Sequence, residues 1–136
     1  MIARIDHVGV LVSDFPGAKR LLGDVLSFTS ERSLVVPGRL EAEFYRCGDA
    51  SVELIDVTDP AEHERRLGQA AGRIEHIALE VNDLAAASEY LRRTGVLFSA
   101  ASPVVNGPIR SYFTRPETTS GLMFQVFEWV DGGSHR

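Results

Sequence analysis

Apolar, β-branched positions dominate two stretches of about eight residues, IDHVGVLV from Ile5 and IEHIALEV from Ile74, and each predicts a strand with one well-buried face. The segments that follow, SDFPGAKRLLGDVL and NDLAAASEYLRRTGV, shift to helical spacing. Ser13 and Asn82, or the Asp after each, supply N-cap oxygens, and the helices should run to about Gly23 and Gly95, where glycine accepts the left-handed conformation of a helix end. After the first helix, FTSERSLV, EAEFYRCG and SVELIDV read as strands, the last two joined by a turn at Gly48 and Asp49. After the second, VLFSAASPVV, IRSYFTRP and GLMFQVFEWV read likewise, with the turn-rich PETTSG before the last. The repeating pattern is strand, helix, three strands.

The two copies are related in letters as well as in pattern. A shift of 69 positions superposes Arg4 on Arg73, Ile5 on Ile74, His7 on His76, Val12 on Val81, Asp14 on Asp83, Ala18 on Ala87 and Leu22 on Leu91, seven identities in nineteen. Roughly one is expected by chance from average composition. A period this long, seen twice, indicates duplication of half a domain and excludes a solenoid. The expected organisation is one domain over 1–136, with a first module at about 1–58, a polar connector at 59–72 that is helical in its middle, a second module at about 73–130, and a frayed tail at 131–136.

Charge and composition narrow the function classes. A net charge of −5 and pI near 5.3 argue against a nucleic-acid surface, and Arg65–Arg66 and Arg92–Arg93 are too small to reverse this. With 44% hydrophobic and 24% charged residues the chain has an ordinary globular composition, and it lacks the run of about 18 apolar residues that a membrane span needs. Arg4, Asp6 and Asp14 interrupt any apolar signal-peptide core, and the single Cys47 has no partner for an internal disulfide. These features lead us to expect a soluble, cytoplasmic protein.

Candidate chemistry follows from the repeat. Glu53 interrupts the strand SVELI, and Gln125 interrupts LMFQVFEW 72 positions later, three more than the histidine offset. Each half therefore offers a histidine on its opening strand and a carboxylate or carboxamide on its closing strand. Either histidine alone reads more readily as a hydrogen-bonded structural residue than as a ligand, and Glu53 equally as a solvent-facing residue. Their symmetric recurrence instead suggests one site formed by duplicating a half-site, with His7, Glu53, His76 and Gln125 as ligands of a single divalent ion, zinc, nickel, cobalt, manganese or iron.

On these residues the chain resembles the vicinal oxygen chelate superfamily of glyoxalases, bleomycin-resistance proteins, epimerases and extradiol dioxygenases, from Ile5 to Trp129. The stretches IDHVGVLVSD, VELID, IEHIALEVNDLAAASEYLRRTGV and FTRPETTSGLMFQVFE look most like its methylmalonyl-CoA epimerase branch. The resemblance implies an α+β fold of two tandem βαβββ modules forming a cupped mixed sheet around the metal, with helices on the outer face, and a homodimer. It also implies a small-molecule substrate, an acyl-CoA among the candidates. Two departures stand out. Epimerases usually carry glutamate at the place of Gln125, and their second base aligns near Pro37 or Gly38.

The implied activity is metal-dependent isomerisation or epimerisation at a carbon next to a carbonyl, with the ion stabilising an enolate and a side chain taking the proton. Glu43 and then Glu41 are the candidate bases, sharing a face of the strand LEAEF, with a plain solvent-facing role as the rival reading. Arg110, Tyr112 and Arg115 are candidates for orienting an anionic substrate, or are surface residues. A non-haem iron dioxygenase and a non-catalytic binding or resistance protein are the alternatives.

Overall fold

The computed structural model describes residues 1–131. Its elements follow the expected order twice. In the first copy β1 (Ile2–Val12) and α1 (Phe15–Arg20) precede β2 (Thr29–Val36), β3 (Leu40–Cys47) and β4 (Ala50–Val57). The connector forms α2 (Pro60–Arg66). Then come β5 (Gly72–Val81), α3 (Leu84–Arg93), β6 (Val104–Asn106), β7 (Ile109–Phe113) and β8 (Phe124–Trp129). The fold is α+β with two βαβββ modules, and none of its helices is long and apolar enough to cross a membrane.

The chain divides into two compact units, His7–Glu75 and a second made of Met1–Asp6 with the chain from His76 onward. The connector helix α2 thus belongs with the first unit, and residues 132–136 of the expected tail lie outside the described residues.

In the first unit the strands are ordered β2-β3-β4-β1, with β1 parallel to β4 and the other pairs antiparallel. The pleat sends alternate residues to opposite faces. One face carries Leu11, Ala42, Ile55 and Val57, covered by Leu67 at the end of α2. The other carries Val10, Val12, Val52 and Leu54, against which Phe15, Ala18 and Leu22 pack from the α1 segment. Asp14, rather than Ser13, caps α1 by accepting the Gly17 N–H at 3.0 Å. The helix does not run evenly to Gly23: after Arg20 it widens into a π-helical turn, Leu21–Val25.

The second unit repeats the plan with the order β5-β8-β7-β6 and a parallel β5–β8 pair. Asp83 caps α3 through the Ala86 N–H, again at 3.0 Å, and Leu84, Ala87 and Leu91 pack on Val81, Tyr112 and Val126. Ala78, Ile109, Phe127 and Trp129 cluster on the opposite face. The second strand of this copy is shorter than expected: of VLFSAASPVV only the end joins β6, while Phe98 makes an isolated bridge to Thr114.

Candidate functional site

Strand register assembles the first half-site. His7 stands opposite Ser51 and Gly9 opposite Glu53 on the parallel β1–β4 pair, and Phe44 stands opposite Glu53 across β3–β4. His7 and Glu53 therefore share the face that farther along carries Leu11 and Ile55. Both are buried, and Gly9 adds no side chain between them. Nε2 of His7 lies 3.3 Å from Oε1 of Glu53, and the imidazole meets the Phe44 ring edge to face at 5.1 Å. An imidazole lone pair and a carboxylate oxygen repel at this separation, so a proton or a metal cation must be shared between them. The donor set is one that a divalent ion accepts.

The same construction recurs in the second unit. Ala78 stands opposite Gln125 where Gly9 stands opposite Glu53, and Phe113 takes the place of Phe44. His76 and Gln125 are buried on one face, and the His76 ring meets Phe113 edge to face at 5.4 Å. Phe44 and Phe113 are separated by the histidine offset of 69. They are a sequence signal that attention to polar donors passes over. The three extra residues in the Gln125 offset fall between β7 and β8, where Pro116–Thr118 form a 3₁₀ turn in place of the tight turn at Gly48.

The remaining sequence candidates lie elsewhere. Glu43 stands opposite Leu54, one residue out of phase with Phe44 and Glu53, so it and Glu41 occupy the opposite face of β3 from His7 and Glu53. Glu43 accepts hydrogen bonds from Ser33 at 2.7 Å, Ser30 at 2.9 Å and Tyr45 at 3.3 Å. Chiefly the Ser33 bond, with those of Ser30 and Tyr45 and the nearby Lys19, holds its carboxyl below the usual range. Burial raises the Tyr45 phenol, and the Glu43 charge adds to the effect. Glu43 is an anchor of β2 on β3, not a neighbour of His7.

By the same alternation Arg110 and Tyr112 occupy the helix side of β7, opposite in phase to Phe113 and Gln125. Arg110 pairs with Glu128 at 2.7 Å, Glu128 accepts the Leu84 N–H at the start of α3, and Tyr112 is core stacked on Phe98. Neither lies on the His76 face. Arg115, past the end of β7, is half-exposed and paired with Glu117.

The sequence reading overlooked a part-buried ion pair in the first unit. Arg66, at the end of α2, donates two hydrogen bonds of 2.8 Å to Glu75, and this pairing, aided by the charges of Glu62 and Glu53, raises its pKa. The Arg66 charge thus reaches Glu53 as well as Glu75. On the same face of the first unit Glu31 is held by Arg46 and Ser51, both at 2.8 Å.

Relatives show the same fold. No curated protein matches the chain significantly. Among solved structures, a hypothetical protein from Bacillus halodurans C-125 is 20% identical, with 92% of this chain and 93% of that one covered at a TM-score of 0.81. Methylmalonyl-CoA epimerase from Mycobacterium tuberculosis is 21% identical over 95% of this chain and 89% of its own, with a TM-score of 0.87. A single-substitution variant of Streptomyces coelicolor methylmalonyl-CoA epimerase in complex with 2-nitronate-propionyl-CoA is 18% identical over 96% of this chain and 99% of its own, with a TM-score of 0.86. A family model for the glyoxalase/bleomycin resistance protein/dioxygenase superfamily matches residues 6–113, and the chain belongs to that superfamily.

Proposed function

We propose that this protein is a divalent-metal-dependent isomerase or epimerase acting on a carbon next to a carbonyl, with an acyl-CoA thioester as the favoured substrate class. His7, Glu53, His76 and Gln125 are the proposed ligands. The observation that carries the reading is the buried His7–Glu53 contact of 3.3 Å, an imidazole nitrogen facing a carboxylate oxygen. The burial of His7, Glu53 and His76, and the matching strand positions of His76 and Gln125 in the second unit, support it. So does the likeness to epimerases, one of which is complexed with an acyl-CoA analogue.

When bound, the ion supplies Lewis-acid stabilisation of the oxygen that gains charge as the neighbouring carbon loses its proton. The rest falls to the chain. With Glu43 and Glu41 on the other face of β3, and Glu31 committed to Arg46 and Ser51, Glu53 becomes the proposed proton acceptor. Gln125 has no basic oxygen at neutral pH, so the two halves divide the labour: the amide only binds, whereas the carboxylate both binds and accepts a proton. The apolar residues Leu11, Ala42 and Ile55 lie farther along the same face.

Glu53→Gln is the test, because an amide oxygen still serves as a ligand, as proposed for Gln125. The expected outcome is a metal content close to wild type with turnover of methylmalonyl-CoA reduced by about 100-fold or more. Undiminished turnover in Glu53→Gln would remove Glu53 as the base. Failure of the wild type to bind any of zinc, nickel, cobalt, manganese or iron would overturn the metal-dependent reading.

A further inference from the structure

We propose that the second unit carries a separate anion site, which binds the phosphate group of a small phosphate ester or pyrophosphate. An open cleft of about 490 Å³ is lined by Arg92, Phe98, Ser99 and Arg115, among others, on the helix side of β7 and therefore on the face away from His76 and Gln125. The guanidinium carbon of Arg92, on α3, lies 5.2 Å from the centre of the Phe98 ring and 5.0 Å from that of Tyr112, and these rings stack at 4.8 Å. This cation–π contact holds the guanidinium at the ring pair without drawing on a hydrogen-bond acceptor. Among the described residues no carboxylate pairs with Arg92. Arg115 reaches the same cleft with only its Nε engaged, by Glu117 at 3.1 Å.

Two guanidiniums on one cleft of a chain with net charge −5 concentrate positive potential where the whole molecule repels anions. Paired forks match tetrahedral phosphate oxygens, and one fork is already fixed in place by the aromatic stack. Glu117 opposes the ligand by drawing on Arg115, which gives the site a sign test: neutralising Glu117 should strengthen binding while neutralising either arginine weakens it.

Isothermal titration of the full chain with pyrophosphate and with inorganic phosphate, at low ionic strength, tests the site. The expected result is saturable binding at one site per chain, about tenfold weaker in Arg115→Gln and in Arg92→Gln, and tighter in Glu117→Gln. Arg115 is exposed, so its variant reads the site even if loss of the Arg92 stack unsettles α3. Absence of saturable binding, or binding indifferent to both arginine variants, would overturn the proposal. His7→Ala must leave the affinity unchanged. Loss of anion binding in that variant would assign the phosphate to the proposed metal and remove the second site, leaving the epimerase reading intact.

Discussion

Glu43 and Glu53 stand on neighbouring antiparallel strands, yet they face opposite ways, because Glu43 is in register with Leu54 and it is Phe44 that faces Glu53. One position of phase decides which carboxylate meets His7. It also separates two kinds of acidic residue, one held by hydroxyls on the helix side of the strands and one buried against an imidazole.

If His7 and His76 are ligands of one ion, removing either lowers metal affinity by more than the roughly 10- to 100-fold typical of losing an outer-shell partner. Metal analysis of protein purified without a metal-affinity tag is expected to give one divalent ion per chain in the wild type and a large loss in both His7→Ala and His76→Ala. Retention of the ion in His76→Ala would confine the site to the first unit.

Glu43→Gln is expected to leave turnover near wild type and to lower stability at neutral pH by about 1 kcal/mol, the scale of a weakened hydrogen-bond set. The pH dependence has a definite sign. The folded-state pKa of Glu43 is depressed, so its contribution is full above the unfolded value of about 4.3 and is lost as pH falls through the lower folded value. Denaturation midpoints of wild type and variant should therefore converge below that window. A gap that persists in acid would show that the stabilisation does not depend on the carboxylate charge.

The strand–helix–three-strand repeat was legible because β-branched runs, capping aspartates and glycine turns each impose a local preference. His7, Glu53, His76 and Gln125 stood out because polar groups recurred inside apolar strands. What was not legible was phase. LEAEF shows that Glu41 and Glu43 share a face, but nothing in the stretch says which face, since that depends on Phe44 standing opposite Glu53. IRSYF hides Arg110 and Tyr112 in the same way, with Phe113 as the residue that shares the Gln125 face. Arg66 and Glu75 are nine residues apart, and a turn after α2 brings them together, beyond the reach of periodicity.

That pair supports another prediction. The Glu75 side chain is only 5% exposed, so Arg66→Met leaves a buried carboxylate without its bidentate partner and should destabilise the protein by about 3 kcal/mol. Replacing both, as Arg66→Met with Glu75→Gln, removes that charge as well and should recover much of the loss. Urea denaturation of both variants checks this. Equal loss in both would show that packing of the Arg66 stem, and not its charge, holds α2 in place.

Gly17 and Asp14 make the last prediction, on the start of α1. The Asp14 side chain bends back to accept the Gly17 N–H, and a Cβ added at Gly17 would clash with its Oδ2. Gly17→Ala alone is therefore expected to destabilise the protein, because the new methyl evicts the cap, and loss of such a cap costs about 1 kcal/mol. Asp14→Ala alone should cost a similar amount. In the Asp14→Ala background there is no carboxylate to evict, and Gly17→Ala should then become stabilising by about 0.5–1 kcal/mol through alanine's lower backbone entropy. Thermal denaturation of the four proteins completes the cycle. A Gly17→Ala effect of the same sign in both backgrounds would mean that the space beside Gly17 is set by the α1 backbone itself, independently of the capping aspartate.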